Sequence, residues 1–503
     1  MHPVSRPHAT LPLHGPEASR RIEQIAQAAL PPHALMRRAG LGVARLSLAL
    51  APYARTVWIA AGPGNNGGDG FEAAITLLRA GKAVHLSLCG DAARLPADAS
   101  DALGRVQAAG GRVALAPPPA LAAQDLAIDA LLGLGASRAP EGLIADAIAR
   151  LNGLPCPVLA VDLPSGLNTL TGQRLGEACV RATHTLSLLT LKPGLFTGQG
   201  RDLAGEVWFD DLGVDGGSAP PDAWLTGAEE AHAARPTRHH AQHKGSFGDV
   251  AVIGGASGMT GAALLAARAA HAAGAGRVFV SLLEPEQPGQ DMALDPARPE
   301  LMFRRAWWEG APGVIAAATV VCGCGGADAV RHVLPRLLSL APRLVLDADA
   351  LNAIAADPGL QAQLGVRAAR GHASVLTPHP LEAARLLRVA TGELQADRVR
   401  SAKALADRFG CVVLLKGSGS VIAAPGRAPH VNPTGNAALA SPGTGDVLAG
   451  WIGGLWAQDG AAASAFAMAA AAAHAHGAAA DAAGVMPLRA ADLVEQLLRA
   501  SLS

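Results

Sequence analysis

Ser441-Pro442-Gly443-Thr444-Gly445-Asp446 runs straight into the small-residue helical stretch Val447–Leu455. Two glycines and a threonine let backbone N–H groups converge on an anion at a helix N-terminus, where the dipole already favours negative charge. Asp446 then falls in the first turn, beside the anion. A carboxylate placed there can take a proton from a hydroxyl that attacks phosphorus. The plainer alternative is a glycine C-cap followed by an N-capping aspartate.

Working outward, 503 residues are too many for one core, and two domains of roughly 200–280 residues are expected. Short Val/Ile/Leu runs alternate with Ala-rich segments, the pattern of parallel sheets covered by helices, so the fold class is α/β. Forty-one basic residues balance 41 acidic ones, which disfavours a nucleic-acid partner bound through a general basic surface. The six cysteines are scattered, and only Cys322 and Cys324 are close, a poor zinc signal; a reducing cytoplasm fits them best. The N-terminal segment has no apolar core of the kind found in signal peptides. Ala461–Ala483 is long but mostly alanine and is interrupted by His474, His476, Gly477 and Asp481, so it reads as a buried helix pair and not a membrane span. Small molecules and further copies of the chain are the expected partners.

In the first half, strand candidates are Thr56–Ala61, Ala83–Leu88, Asp125–Asp129, Pro157–Val161 and Thr185–Thr190, with helices such as Phe71–Ala80 and Leu143–Leu151 between them. This alternation predicts a Rossmann-like doubly wound sheet. Gly213–Arg235 changes texture and reads as an inter-domain linker, weakest at Pro220-Pro221. A second series follows, at Asp249–Ile253, Arg277–Ser281, Ala318–Cys322, Arg343–Asp347, Ala373–Leu376 and Cys411–Leu415. Its glycine motifs differ from those of the first half. Two different α/β domains, residues 1–225 and 226–503, are therefore expected.

After strand Thr56–Ala61 comes Gly62-Pro63-Gly64-Asn65-Asn66-Gly67-Gly68-Asp69-Gly70, with a helix expected to open at Phe71. The glycine spacing permits a dinucleotide loop, but the extra amides and carboxylate suit a hard cation or a polyhydroxylated ligand. Asp129 ends one strand, before Leu131-Leu132-Gly133-Leu134-Gly135, and Asp162 ends the next, opening Asp162-Leu163-Pro164-Ser165-Gly166. Open α/β sheets place ligands at such strand ends. These three motifs together resemble the NAD(P)H-hydrate epimerase family over about residues 15–225. The resemblance implies that Asn65, Asn66, Gly67, Gly68 and Asp69, with Gly133, Leu134 and Gly135, line a pocket for a nicotinamide cofactor hydrated at C6. It further implies that Asn66, Asp129 and Ser165 hold potassium and that Asp162 is the acid/base group.

The second half carries His243-Lys244-Gly245-Ser246-Phe247-Gly248, then a glycine-rich turn from Gly254 to Ala262. Asp347 and Asp349 flank a strand end and could reach Mg2+. Thr377-Pro378-His379-Pro380 and Lys416-Gly417-Ser418-Gly419-Ser420 follow the next two strands, and the latter offers a cation and glycine N–H groups for phosphates. With the opening hexapeptide these segments resemble the ribokinase-like fold, and within it the ADP-dependent NAD(P)H-hydrate dehydratases, over about residues 228–500. The resemblance places Ala262, Gly325, His379 and Asp446 on the hydrated cofactor. It places Lys416, Gly417, Ser418, Gly419, Ser420 and Gly445 around ADP, the co-substrate. Where that family usually has G-P-G-L-G, this chain has Gly323-Cys324-Gly325-Gly326-Ala327. The whole resembles a fused repair enzyme with K+ in its first domain and Mg2+ in its second. The rival reading is a ribokinase-like kinase of a small alcohol or vitamin precursor, with a non-catalytic N-terminal binding domain.

Overall fold

The structure is a computed structural model, and it describes all residues except 115–117, 119, 234–236, 284–293, 459–463 and 503. The chain forms two compact units, Met1–Pro7 with Leu11–Trp224, and His8–Thr10 with Leu225–Ser503.

The sheet of the first unit runs in the order His2–Pro3, Glu206–Asp210, His184–Leu188, Val158–Val161, Leu126–Ala130, Thr56–Ala61, Ala83–Leu88, Val113–Ala114. All neighbours are parallel except the terminal His2–Pro3 pair. Strand order reverses between Thr56–Ala61 and Leu126–Ala130, which opens a crevice at their carboxyl ends. Alternate side chains serve two cores. Val57, Ile59 and Ala61 meet Val43, Phe71 and Leu77 on one face, while Trp58 and Ala60 meet Ile148 and Leu151 on the other.

The second unit repeats the logic with different elements. Its strands run Met302–Phe303, Arg277–Leu282, Asp249–Gly254, Ala318–Cys322, Arg343–Leu346, Ala373–Leu376, Val412–Leu415, Val421–Ala423, His430–Val431. They are parallel up to Val412–Leu415, and the last two are antiparallel. One sheet face packs on helices Thr260–Ala272, Thr444–Gln458 and Ala465–Ala483, the other on Val330–Leu340, Ala348–Ala356, Pro380–Leu387 and Arg398–Phe409. Small residues let the first pair of helices come unusually close. A Cβ on Gly450 would lie 1.9 Å from the Ala266 carbonyl oxygen, and one on Gly454 2.3 Å from that of Ala270. Trp451 and Trp456, each 1% exposed, fill the remaining space. At about 25 cal/mol per Å2 over roughly 150–250 Å2, each contributes about 4–6 kcal/mol of transfer free energy before entropy.

The expected strands fall within a residue or two of those observed. Three expectations differ. The Gly-rich loop before Phe71 is already helical, in Asn65–Arg79, because its glycines meet tightly packed neighbours and tertiary contacts outweigh their poor propensity. Ala465–Ala483 is one continuous helix, since nothing in it breaks the backbone; residues 461–463 of that stretch lie outside the described residues. The supposed linker is structured, with strand Ala223–Leu225 and helix Ala228–Ala233, although 234–235 lie outside the described residues. Ala223 and Leu225 are fully buried, so apolar burial overrode the turn signals around them. Among the described residues no helix is long and apolar enough to cross a membrane.

Candidate active sites

In the first unit, a cavity of about 910 Å3 opens at the crevice between Thr56–Ala61 and Leu126–Ala130. Asn65, Asn66, Asp69, Gly133, Leu134, Gly135 and Asp162 all line it. Gly67 and Gly68 do not. Their missing Cβ atoms would lie 2.0 Å from the Gly62 oxygen and 2.5 Å from Met36 Cε, so they pack the helix onto its support. Asp162 stands at φ 70°, in the left-handed region that a non-glycine residue occupies at a cost. Burial raises the Asp69 carboxyl well above its usual range, and the Asp162 charge adds to this. Glu23, from helix Pro16–Ala29, lines the same cavity and is raised by burial first and Asp162 second.

Asp129 and Ser165 sit behind the cavity wall. Asp129, 0% exposed, accepts from the Ser165 amide at 2.8 Å, the Ser165 hydroxyl at 2.6 Å and the Leu131 amide at 3.2 Å. Burial pushes its carboxyl up to about 6 against those hydrogen bonds. These donors are all neutral, so the charge lacks an opposite partner among them. Asn66 Nδ2 is buried without a hydrogen-bond partner. The buried Asp129 carboxylate, held by neutral donors alone, is a group that a weakly hydrated monovalent cation fits, whereas the orphaned Asn66 Nδ2 is a donor and calls for an acceptor on the ligand.

In the second unit, carboxyl ends of adjacent parallel strands deliver Cys324, Asp347, Thr377 and Lys416, and the helix starting at Thr444 delivers Asp446. Asp347 Oδ1 accepts from Thr377 Oγ1 and Lys416 Nζ, both at 2.8 Å. Burial works against the Lys416 charge, but Asp347 and Glu382 outweigh it and raise the ammonium above its ordinary value. Gly445 faces this pair; a Cβ there would sit 3.1 Å from Lys416 Nζ. Burial, then the neighbouring Asp347 charge, push the Asp446 carboxyl up to about 6. The nest is braced from below: Thr444 Oγ1 donates to the Leu439 and Ser441 oxygens at 2.9 Å, and buried His476 bonds the Thr444 oxygen at 2.9 Å. Burial lowers His476 to about 4, which keeps it neutral at neutral pH beneath the Thr444 turn.

Gly325 has φ 61° and touches Ala262, so these two predicted residues meet at the strand-order reversal. The turn survives without the family's proline, because the Cys324 and Gly325 oxygens are held by the Gly255 and Ala256 amides at 2.9 and 2.7 Å. The Cys324 thiol itself lies beside Asp446 and Asp347, with one ligand atom of each within 4.8 Å of the others. Asp349 is spent on the Ala327 amide at 2.9 Å. His379 caps helix Pro380–Leu387, accepting from Leu381 and Glu382 amides. Lys416–Ser420 forms the turn between strands Val412–Leu415 and Val421–Ala423, with Gly417 at φ 139° and Gly419 at φ 63°. The sequence reading missed Arg398, a buried guanidinium that donates to the Leu415 and Lys416 oxygens and so holds this turn. It also missed Glu23 and Lys192. A lone charge on an amphipathic helix or after an apolar strand carries no signal of its own.

Residues 32–194 match the family described as YjeF-related protein N-terminus, and residues 250–500 match the family described as NAD(P)H-hydrate dehydratase. The bifunctional NAD(P)H-hydrate repair enzyme Nnr of Escherichia coli is 36% identical over 471 residues, covering 91% of this chain and 87% of that protein. The enzyme of the same name from Coxiella burnetii is 35% identical over 454 residues, covering 89% and 90%. A solved structure of the ADP/ATP-dependent NAD(P)H-hydrate dehydratase from Bacillus subtilis, co-crystallised with ATP/Mg2+, is 28% identical, covers 54% of this chain and 95% of its own, and has a TM-score of 0.43. The match to the two full-length relatives runs through both units, so the rival reading of a small-alcohol kinase with a non-catalytic first half is not supported. The chain therefore belongs to the bifunctional NAD(P)H-hydrate repair enzymes, epimerase and dehydratase on one polypeptide.

Proposed function

We propose that Asp446 is the base of an ADP-dependent dehydration and Asp162 the acid/base group of the epimerisation. The carrying observation is the placement of a carboxylate of raised pKa at a glycine-built anion nest, next to a lysine–aspartate pair. Asp446 takes the proton from the C6 hydroxyl of the S-hydrate, whose oxygen attacks the terminal phosphorus of ADP. The bridging P–O bond breaks and AMP leaves. The ring nitrogen lone pair then expels phosphate from C6, and loss of a C5 proton to that phosphate forms the C5=C6 bond of NADH or NADPH. Backbone N–H groups from Gly443 to Gly445, with Lys416, stabilise charge on the transferring group. Gly417, Ser418, Gly419 and Ser420 complete the nucleotide site, while Ala262, Gly325 and His379 face the hydrated ring. Asp347, whose bonds to Thr377 and Lys416 both fall on one carboxylate oxygen, would hold Mg2+, which would neutralise phosphate charge when bound.

In the epimerase, Asp162 shuttles a proton at the C6 hydroxyl, so that the ring loses it as water and regains it on either face. Asn65, Asn66, Asp69 and Gly133–Gly135 hold the nicotinamide end. Asn66, Asp129 and Ser165 would hold K+, which would supply a fixed positive charge near the pocket. Partners in this reading are small molecules, the hydrates of NADH and NADPH with ADP, together with self-association into a homo-oligomer. Six unpaired cysteines suit a reducing cytoplasm.

Incubation of the chain with mixed R and S hydrate and ADP, followed by dihydronicotinamide absorbance, is expected to recover both epimers fully with one AMP and one phosphate per turnover. A stable phosphorylated product would reject the assignment. The dehydration step is expected to lose kcat/KM as pH falls through about 6, because the base works only when ionised and its carboxyl holds its proton up to there. An ordinary aspartate would move that limb to about pH 4. Initial rates that stay flat down to pH 5 would remove Asp446 as the base.

A further inference from the structure

Lys192 is 2% exposed, yet its ammonium is fully engaged: it donates to Asp162 Oδ1, to the Leu188 oxygen at 2.7 Å and to the Thr190 oxygen at 2.8 Å. An ammonium has three donors, and all three are used. The lysine therefore ties the end of strand Val158–Val161, where Asp162 stands, to the end of strand His184–Leu188. The Leu188 amide reaches the same Asp162 oxygen at 3.3 Å, which leaves Oδ2 as the less engaged one at the cavity. Both residues that bend the chain here, Asp162 at φ 70° and Leu189 at φ 64°, occupy the left-handed region. Such conformations persist only where surrounding contacts over-determine them.

A buried amine is costly, and burying one to close a turn alone would be wasteful when a neutral donor could do it. Its placement makes sense if a negative charge must be held in one orientation. Around Asp162 stand Lys192, Glu23 from helix Pro16–Ala29 and Asp69 from helix Asn65–Arg79, while Arg20 and Asp98 line the same cavity. Two further carboxyls thus share the charge environment of one acid/base group, and of the cations among these residues Lys192 is the one that touches it directly.

We infer that Lys192 is a positioning residue for epimerisation, which fixes one oxygen of Asp162 and its strained backbone so that the other oxygen meets the C6 hydroxyl. The inference rests on the reading of Asp162 as the acid/base group. Lys192→Met, made in the full chain, is expected to lower kcat for epimerisation about a hundredfold, with KM changed less than threefold. Dehydration of purified S-hydrate by the same preparation is expected to stay at the wild-type rate. In an Asp162→Asn background, Lys192→Met is expected to cost little further, since the lysine acts through that aspartate. Wild-type kcat in Lys192→Met, or losses that multiply across the two sites, would overturn the inference. So would a Lys192→Met chain whose first unit unfolds, whether or not the Lys192→Met/Asp162→Asn pair refolds it, because the lysine would then serve folding. Epimerisation that survives Asp162→Asn alone would instead reject the reading of Asp162.

Discussion

Asp446→Asn is expected to lower dehydration about a thousandfold while epimerisation proceeds at the wild-type rate. The size follows from the role. A positioned general base contributes roughly 10^2–10^4, and asparagine keeps the shape of the side chain but cannot take the proton. The substitution should also stabilise the second unit at neutral pH. Its folded-state pKa of about 6 lies above the ordinary value of 3.8, so the folded state prefers the proton. The stability that goes with that proton is lost as pH rises from about 4 through 6, and the ionised group is a burden above it. A neutral amide removes the burden. Thermal melting with product analysis checks both halves: lower stability at pH 7.5, or dehydration within tenfold of wild type, would contradict the assignment. The sign of the stability change matters as much as the rate, since a damaged fold would lower both.

Asp162→Asn is expected to leave dehydration of S-hydrate untouched and to reduce epimerisation to near its spontaneous rate. With mixed hydrates and excess ADP, NADH should then appear in two phases, a fast one from the S form and a slow one limited by uncatalysed conversion of R. The wild-type chain should show one. Monophasic recovery in the variant would mean that another group moves the proton, and Glu23 and Asp69 are two of the carboxyls already lining the cavity.

Much of this was legible from residue order, and the parts that were not have identifiable causes. Strand Thr56–Ala61 could be read to the residue because a buried parallel strand announces itself as an apolar run between turn signals, and the partly exposed Ala83–Leu88 because Val84, Leu86 and Leu88 alternate with His85 and Ser87. The carboxyl-end residues Asp129, Asp162 and Asp347 followed in the same way from strands Leu126–Ala130, Val158–Val161 and Arg343–Leu346. Asn65–Asp69 were expected to form a loop and are helical, since helix formation there is decided by what the glycines press against, which sequence does not display. Gly67 and Gly68 were grouped with the ligand residues although they pack against Gly62 and Met36. His379 drew notice for its chemistry, but its visible work is capping, reciprocated by Glu382. Lys192 and Arg398 were invisible for a common reason. Each long side chain folds back to hold backbone oxygens of its own site, a contact that depends on tertiary placement alone.

The tight seating of Gly450 and Gly454 against helix Thr260–Ala272 has a consequence for anyone hardening this enzyme. Exchanging helical glycines for alanine is a standard gain of up to about 1 kcal/mol, but here each new methyl would strike a carbonyl oxygen. The helix would have to lift, and its first turn, with Thr444, Gly445 and the proposed base Asp446, would lift with it. Thermostabilising searches in the second unit therefore have to leave these two positions alone, although they lie about 6 and about 12 Å along the helix from the proposed base Asp446.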